Sequence, residues 1–131
     1  MNEAKTSRMW MVAGVVLILL VGLIHLIDAP ESMEESTTMG LLFYANFAGA
    51  VLAAIGILMG RTWGWTLGAL VAGGAFVGYI ISRTVGIFGL PPQEWLEPLG
   101  VASLIVEGLF VALFVKVAFI RDRVGSPARS S

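Results

Sequence analysis

Four long apolar segments separated by short polar stretches dominate the chain. These segments cover residues 9–27, 39–59, 63–82 and 98–120. About 20 helical residues at 1.5 Å per residue cross the roughly 30 Å hydrocarbon core of a bilayer. None of the segments alternates in polarity as a barrel strand does. The pattern therefore predicts an all-α fold, an integral membrane bundle of four transmembrane helices in a single domain of residues 1–131.

Composition supports a membrane protein and narrows its chemistry. Hydrophobic residues make up 57% of the chain and charged residues only 13%, whereas soluble domains carry roughly 25% charged residues. Cysteine is absent, which excludes disulfides, thiolate metal sites and thiol catalysis. The eight basic residues are spread over several segments and form no continuous stripe for a phosphate backbone. Nucleic acid is therefore not a predicted partner.

The basic residues predict how the helices are oriented, because Lys and Arg near helix ends stay on the cytoplasmic side. They precede the first segment, lie between the second and third, and end or follow the fourth: Lys5, Arg8, Arg61, Lys116, Arg121, Arg123 and Arg129. Arg83 alone falls on the opposite side. We expect an up-down-up-down bundle with both termini in the cytoplasm.

The segments between the helices differ in character. Residues 60–62 form a link so short that the second and third helices must be an antiparallel hairpin. Residues 28–38 are polar and acidic, which predicts a solvated connector whose serine and threonines cap the second helix. Residues 85–92 are apolar but contain two glycines and two prolines; this segment is either a plain connector or a lid over an outward-facing cavity. Residues 121–131 are expected to be a flexible cytoplasmic tail.

Small residues at helical spacing predict which helix faces meet, because they let backbones approach closely within a membrane. In the second and third segments they are Asn46, Gly49, Ala53, Gly56, Gly60, Gly64, Gly68, Ala72 and Ala75, with a second pair at Gly74 and Gly78. Their first interpretation is helix packing.

Glu107 is the most informative residue, because an ionisable group at bilayer depth costs a few kcal/mol and normally faces the protein interior. It lies nine positions after Pro98, hence about 14 Å below the outer boundary at 1.5 Å per residue. Two interpretations stay open. Glu107 is either a functional group or a structural, protonated carboxyl that is hydrogen-bonded to Asn46 or Ser103.

Polar residues on the packing faces all fall in the outward half, where a four-helix bundle can bring them to one pocket. The predicted ligand-binding residues are Glu107, Arg83, Asn46, Tyr79, His25 and Ser103. Arg83 is placed at the mouth, from which it reaches inward to Glu107 or outward to lipid phosphate. The structural alternatives are a hydrogen-bonded interfacial histidine at His25 and packing roles for Asn46 and Tyr79.

No recognised catalytic or cofactor motif is present. A single histidine without cysteine makes a zinc, copper or haem site an unfavourable interpretation. The glycines lie mostly inside the apolar segments, and none belongs to a phosphate-binding loop, a dinucleotide fingerprint or a nucleophile elbow. We therefore predict no metal site and no catalytic residue, leave the cofactor open, and regard an intramembrane enzyme as the weakest possibility.

One resemblance adds to this. The order of four spans with a short basic link, together with the segments Leu42–Ala50 and Ser82–Gly86, resembles small bacterial inner-membrane proteins. The layout is broadly similar to that of DoxX-like four-span proteins over most of the chain. The resemblance implies a bacterial inner-membrane location, and no functional residue is carried over from it.

Two functional hypotheses follow from the sequence. In the first, the outward pocket binds a small ligand, such as a quinone, a lipid headgroup or an ion. Glu107 is then a proton acceptor or counter-charge, and Arg83 is an anion clamp. In the second, the protein is a non-catalytic accessory or scaffolding subunit whose polar residues only fix helix packing. Its partners would be membrane lipid and either a second copy or another membrane subunit.

Overall fold

Four helices form the whole regular structure of the part that the computed structural model describes, namely the backbone of residues 3–130 and the side chains of residues 7–120. They are α1 (Glu3–Glu35), α2 (Thr37–Leu58), α3 (Thr62–Thr84) and α4 (Pro98–Ser130). Each contains a stretch long and apolar enough to cross a membrane. The described backbone contains no β-strand apart from one isolated bridge between Ile87 and Leu90. The predicted all-α class with four candidate spans is confirmed.

Helix α1 is longer than its apolar segment predicts. The sequence indicates a connector over residues 28–38, but α1 runs through Pro30 to Glu35, and only Ser36 separates it from α2. The polar residues of this last part are compatible with helical hydrogen bonding, and its inner face remains packed, with Ala29 and Ser32 buried. The predicted connector is therefore wrong, because hydropathy reports where the surroundings change and not where the backbone leaves the helix.

Ser36 makes the sharp turn between α1 and α2. Its backbone is extended (φ −157°, ψ 123°), and its Oγ accepts a hydrogen bond from the Met39 N–H at 3.3 Å. This is the usual geometry of an N-cap serine, which satisfies one of the free N–H groups at a helix start. The predicted serine cap of the second helix is confirmed.

Helices α2 and α3 approach each other backbone to backbone. A Cβ atom added to Gly56 would lie 2.7 Å from the Gly64 Cα, so neither position has space for a larger side chain. The chain turns between the helices at Gly60, whose φ of +73° is a left-handed conformation that glycine adopts without strain. The short link that the sequence predicts is present.

The hydrophobic core fills one half of the structure, at the end where α2 joins α3. Trp65 of α3 and Phe110 of α4 stack with ring centroids 5.8 Å apart, and Gly14 and Gly68 provide the space for these rings. The remaining buried members come from all four helices: Ile18, Val21, Ala50, Ala53, Ala54, Ile57, Ala72, Leu113 and Val117. The other half, which ends at Ser36 and at the link between α3 and α4, is not filled in this way.

The link between α3 and α4, residues 85–97, is irregular, as its glycines and prolines predict. Gly86, Phe88 and Gly89 all have positive φ. The Gln93 N–H donates a hydrogen bond to the Ser82 carbonyl at 3.0 Å, which folds the link back onto the end of α3.

Helix α4 continues past the apolar segment to Ser130. The segment predicted as a tail, residues 121–131, thus has a helical backbone as far as Ser130. Its flexibility stays a prediction, and its side chains lie outside the described residues.

Candidate functional site

A cavity of about 680 Å³ occupies the half of the structure that the hydrophobic core leaves open. All four helices and the link between α3 and α4 contribute to its wall. Sites for small ligands typically measure about 300–1,000 Å³ and combine apolar walls with a few polar groups. The structure places all six predicted ligand-binding residues on this wall: His25, Asn46, Tyr79, Arg83, Ser103 and Glu107.

Glu107 is the most deeply buried charged residue on the wall, with 1% of its surface exposed. Ser103 lies one helical turn before it on α4, so the two side chains share a face, and the Ser103 hydroxyl hydrogen-bonds Glu107 Oε2. The other carboxyl oxygen, Oε1, is buried and accepts no hydrogen bond from any described residue. Of the two partners that the sequence predicts for Glu107, the structure shows Ser103.

His25 approaches Glu107 from α1. Its Nδ1 lies 2.9 Å from the Val21 carbonyl oxygen, and because a carbonyl only accepts, Nδ1 carries a proton. Its Nε2 then faces Glu107 Oε2 at 3.7 Å, beyond the range of a direct hydrogen bond. The Phe43 ring covers the imidazole edge to face at 4.8 Å. His25 is therefore buried beside the carboxyl, with its Nε2 turned toward Glu107.

Asn46 does not bond Glu107 as the sequence predicts. Its Nδ2 instead points to the Val71 carbonyl on α3, with a long separation of 3.5 Å. Its Oδ1 is buried and has no donor among the described residues. The amide N–H points to α3 because α2 packs against α3 at this level, and the residue lies on the cavity wall with its acceptor oxygen buried.

Arg83 does not make the predicted inward contact with Glu107. Its Nη2 donates to Glu97 Oε2 at 3.1 Å, and not to Glu107. Glu97 directly precedes α4, whereas Glu107 lies ten residues later, roughly 15 Å deeper at 1.5 Å per residue. The outward alternative does not hold either, because the guanidinium side chain is only 8% exposed.

Arg83 instead fastens the link between α3 and α4. Besides Glu97, it donates to the Glu94 carbonyl at 3.0 Å and to the Ser82 hydroxyl at 2.8 Å. Its guanidinium also lies 3.9 Å from the centre of the Tyr79 ring, a cation–π distance. These contacts hold the link at the mouth of the cavity.

Tyr79 acts on the same link. Its hydroxyl donates to the Trp95 carbonyl at 2.7 Å, and its ring meets the Trp95 ring edge to face at 6.0 Å. Gly100 at the start of α4 gives the tyrosine ring its space. The Tyr79 hydroxyl is therefore already used within the protein, and the packing interpretation of this residue fits its contacts.

Sequence reasoning missed the acidic residues of α1. Asp28, Glu31 and Glu35 all line the cavity, and Glu35 Oε2 accepts a weak hydrogen bond from Gln93 Nε2 of the link at 3.4 Å. Their spacing after His25 matches one face of a helix. That signal was present in the sequence, but it is lost when residues 28–38 are interpreted as a loop.

Two glycines predicted to pack helices contribute to the cavity instead. Gly74 and Gly78 lie on its wall, and a Cβ atom added to either would have no neighbour within 4 Å. The missing side chains thus help to create the open volume.

The described His, Asp and Glu side chains do not form a metal centre. Among the described side chains, no group of three or more His, Asp or Glu residues could hold a metal ion.

Comparisons with known proteins add no further constraint. No family model, no curated protein and no solved structure matches the chain. The DoxX-like resemblance stays a prediction.

Proposed function

We propose that this chain is a multi-pass protein of a bacterial inner membrane whose cavity binds a small ligand. The proposal places both termini in the cytoplasm, with helices alternating up and down. Helix contacts support that topology, because α1 meets α2 at Met33 and Gly40 near their junction, and at Gly22 and Ala50 further away. The distribution of basic residues in the sequence supports the orientation. The cavity then opens outward.

The observation that carries the proposal is the combination of an open volume of about 680 Å³ with a buried carboxyl on its wall. A polar atom buried without a partner costs roughly 1–3 kcal/mol, and Glu107 Oε1 is such an atom. A bundle that is selected only for stability gains by removing this carboxyl or by closing the helices around it. A bound ligand would fill the open volume and supply a partner for the buried carboxyl.

Within this proposal, Glu107 is the central binding group and Arg83 is a positioning residue. Glu107 supplies a counter-charge or accepts a proton at the inner end of the cavity, beside His25. Arg83 is neutralised by Glu97 and holds the link at the mouth, which does not favour a role as an anion clamp.

The alternative, an accessory or scaffolding subunit, needs small-residue faces that are free to dock a partner. Gly49 of α2 meets Val71 and Gly68 of α3 meets Phe110 inside the chain, while Gly74 and Gly78, which have no such neighbour, line the cavity. This favours ligand binding. Lipid remains the expected surrounding of the exposed apolar side chains, and association with a second copy or another subunit stays a prediction.

Native mass spectrometry in mild detergent tests the proposal. The wild type is compared with Gly74→Leu and Gly78→Leu, which place a side chain in the cavity, and with Val77→Leu, which enlarges a side chain that is 56% exposed and does not line the cavity. We expect a small molecule bound to the wild type and to Val77→Leu, and its loss in both glycine variants. A wild type without bound small molecule, or equal occupancy in all four proteins, would contradict the proposal.

A further inference from the structure

We infer that the ligand is an amphipathic organic amine, whose protonated nitrogen donates hydrogen bonds to Glu107 and Asn46 and whose apolar body contacts the cavity wall. This inference rests on the proposed function and specifies its substrate class. Three independent features of the cavity support it: unpaired acceptors, charge and wall chemistry.

Two residues of the cavity wall, Glu107 and Asn46, each carry a buried hydrogen-bond acceptor that lacks a donor. Glu107 Oε1 and Asn46 Oδ1 are both buried, and no described residue donates to either. A ligand that offers only acceptors, such as a quinone carbonyl, a carboxylate or a phosphate ester, would leave both atoms unpaired. An ammonium group carries up to three N–H donors and no acceptor. Hydrogen bonds between charged partners are also about twice as strong as neutral ones.

The charge of the wall selects for a cation. Five carboxyl side chains line the cavity, those of Asp28, Glu31, Glu35, Glu97 and Glu107, against the single guanidinium of Arg83. That guanidinium is already paired with one of the five. A cleft that carries one sign of charge raises the local concentration of ligands of the opposite sign.

The acids also form a path from the mouth to the inner end. Glu35, Glu31 and Asp28 follow one another on α1 toward His25. The ten residues from Glu35 to His25 span roughly 15 Å at 1.5 Å per residue. Beyond them, His25 Nε2 lies 3.7 Å from Glu107. A cation that enters at the link therefore meets a carboxyl near every turn of α1 before it reaches the buried one.

The remaining wall suits an apolar body of drug-like size. Aromatic and aliphatic side chains from α2, α3 and the link face the volume: Met39, Leu42, Phe43, Val71, Ile87 and Phe88. Aromatic faces attract organic cations as well as apolar groups. A free metal ion would leave this surface unused, which is why we assign an amphipathic amine.

Calorimetric titration of the protein in lipid nanodiscs tests the inference with four probes that share one apolar body. They are phenylbutylamine, its trimethylammonium analogue, phenylbutanol and phenylbutyrate, each corrected for partition into empty nanodiscs. We expect the primary amine to bind at least tenfold more tightly than the other three. The trimethylammonium analogue keeps the charge but has no N–H donor, so its weaker binding isolates the contribution of the unpaired acceptors.

Two matched variants locate the amine. Glu107→Gln removes the charge while nearly conserving the shape, and it should weaken phenylbutylamine binding at least tenfold but leave phenylbutanol binding unchanged. Glu34→Gln makes the same change at an exposed position that does not line the cavity, and it should bind as the wild type does. If Glu107→Gln does not fold, the four probes on the wild type decide alone.

Several results would overturn the inference. Equal binding of the amine and its trimethylammonium analogue would contradict the donor requirement, and unchanged amine binding in Glu107→Gln would remove the assigned partner. Tighter binding of phenylbutyrate or phenylbutanol, abolished by Gly78→Leu, would refute the amine while the cavity remained a ligand site. Failure of all four probes would also refute the amine, and the proposed function would then be judged by the mass-spectrometric comparison of the glycine variants.

Discussion

Substitution of Arg83 by alanine should loosen the link between α3 and α4 without unfolding the helices. The guanidinium makes three hydrogen bonds, to Glu94, Ser82 and Glu97, and one contact with the Tyr79 ring. Hydrogen bonds contribute about 0.5–1.5 kcal/mol each, with more for charged partners, and a cation–π contact adds about 0.5–1 kcal/mol. The sum is offset in part, because the half-exposed Glu97 regains water. We expect the link to lose about 3 kcal/mol of local stability.

Hydrogen–deuterium exchange measures this loss directly, since amide exchange reports local opening. A change of about 3 kcal/mol corresponds to roughly a hundredfold faster exchange, at 1.4 kcal/mol for each factor of ten. The amide of Gln93, which bonds the Ser82 carbonyl, is the most direct probe. Peptides from the interior of α2 and α4 should exchange as in the wild type.

Arg61→Ala is the matched control, because Arg61 is exposed at the link between α2 and α3, and its side chain makes no capping hydrogen bond. It should leave exchange over residues 85–97 unchanged. Exchange at the wild-type rate in Arg83→Ala, or equal acceleration by both substitutions, would show that the Arg83 contacts do not hold the link in place.

Three further predictions concern stability, each measured by denaturation in detergent. Phe110→Ala should lower the free energy of unfolding by about 3–5 kcal/mol, because the fully buried ring stacks in the core. Leu109→Ala, at a neighbouring side chain that is 53% exposed, should lower it far less, and equal losses would contradict a core that contains Phe110. Gly56→Ala should separate α2 from α3 and destabilise the protein, whereas Gly74→Ala, with open space around the added methyl, should not; the reverse order would disprove the helix contact. Ser36→Ala should cost about 1 kcal/mol through the lost cap, and no measurable loss would refute the cap.

Simple patterns in the sequence are sufficient to predict the four helices and the six polar residues that share the cavity wall. Apolar segments of bilayer length are sufficient to predict four helices, because each must bury its backbone polar groups internally. Polar residues on the small-residue faces meet at one cavity because polar side chains in apolar surroundings turn toward the protein interior. Glu107 and Ser103 form a pair because a separation of four residues places them on one helix face.

The partners of the polar groups could not be predicted in the same way. Arg83 bonds the link because residues 85–97 fold back over α3, and this path depends on the positive φ of Gly86, Phe88 and Gly89. The acids of α1 belong to the cavity only because the helix continues through Pro30. Both features depend on backbone geometry that hydropathy does not report. Gly74 and Gly78 have the same spacing as packing glycines, and only the position of the neighbouring helices distinguishes them.

Ligand binding in the cavity requires that the space beside Gly78 is accessible from outside the protein. Because the chain has no cysteine, Gly78→Cys introduces a unique thiol on the cavity wall, and Val77→Cys introduces one on an exposed face of the same helix outside the cavity. We expect a positively charged, water-soluble methanethiosulfonate reagent to modify Gly78→Cys rapidly in nanodiscs, and phenylbutylamine to slow that reaction. Val77→Cys should react slowly with or without the amine. Equally slow modification of both variants would contradict an accessible site beside Gly78, and undiminished modification of Gly78→Cys in the presence of phenylbutylamine would contradict binding of the amine there.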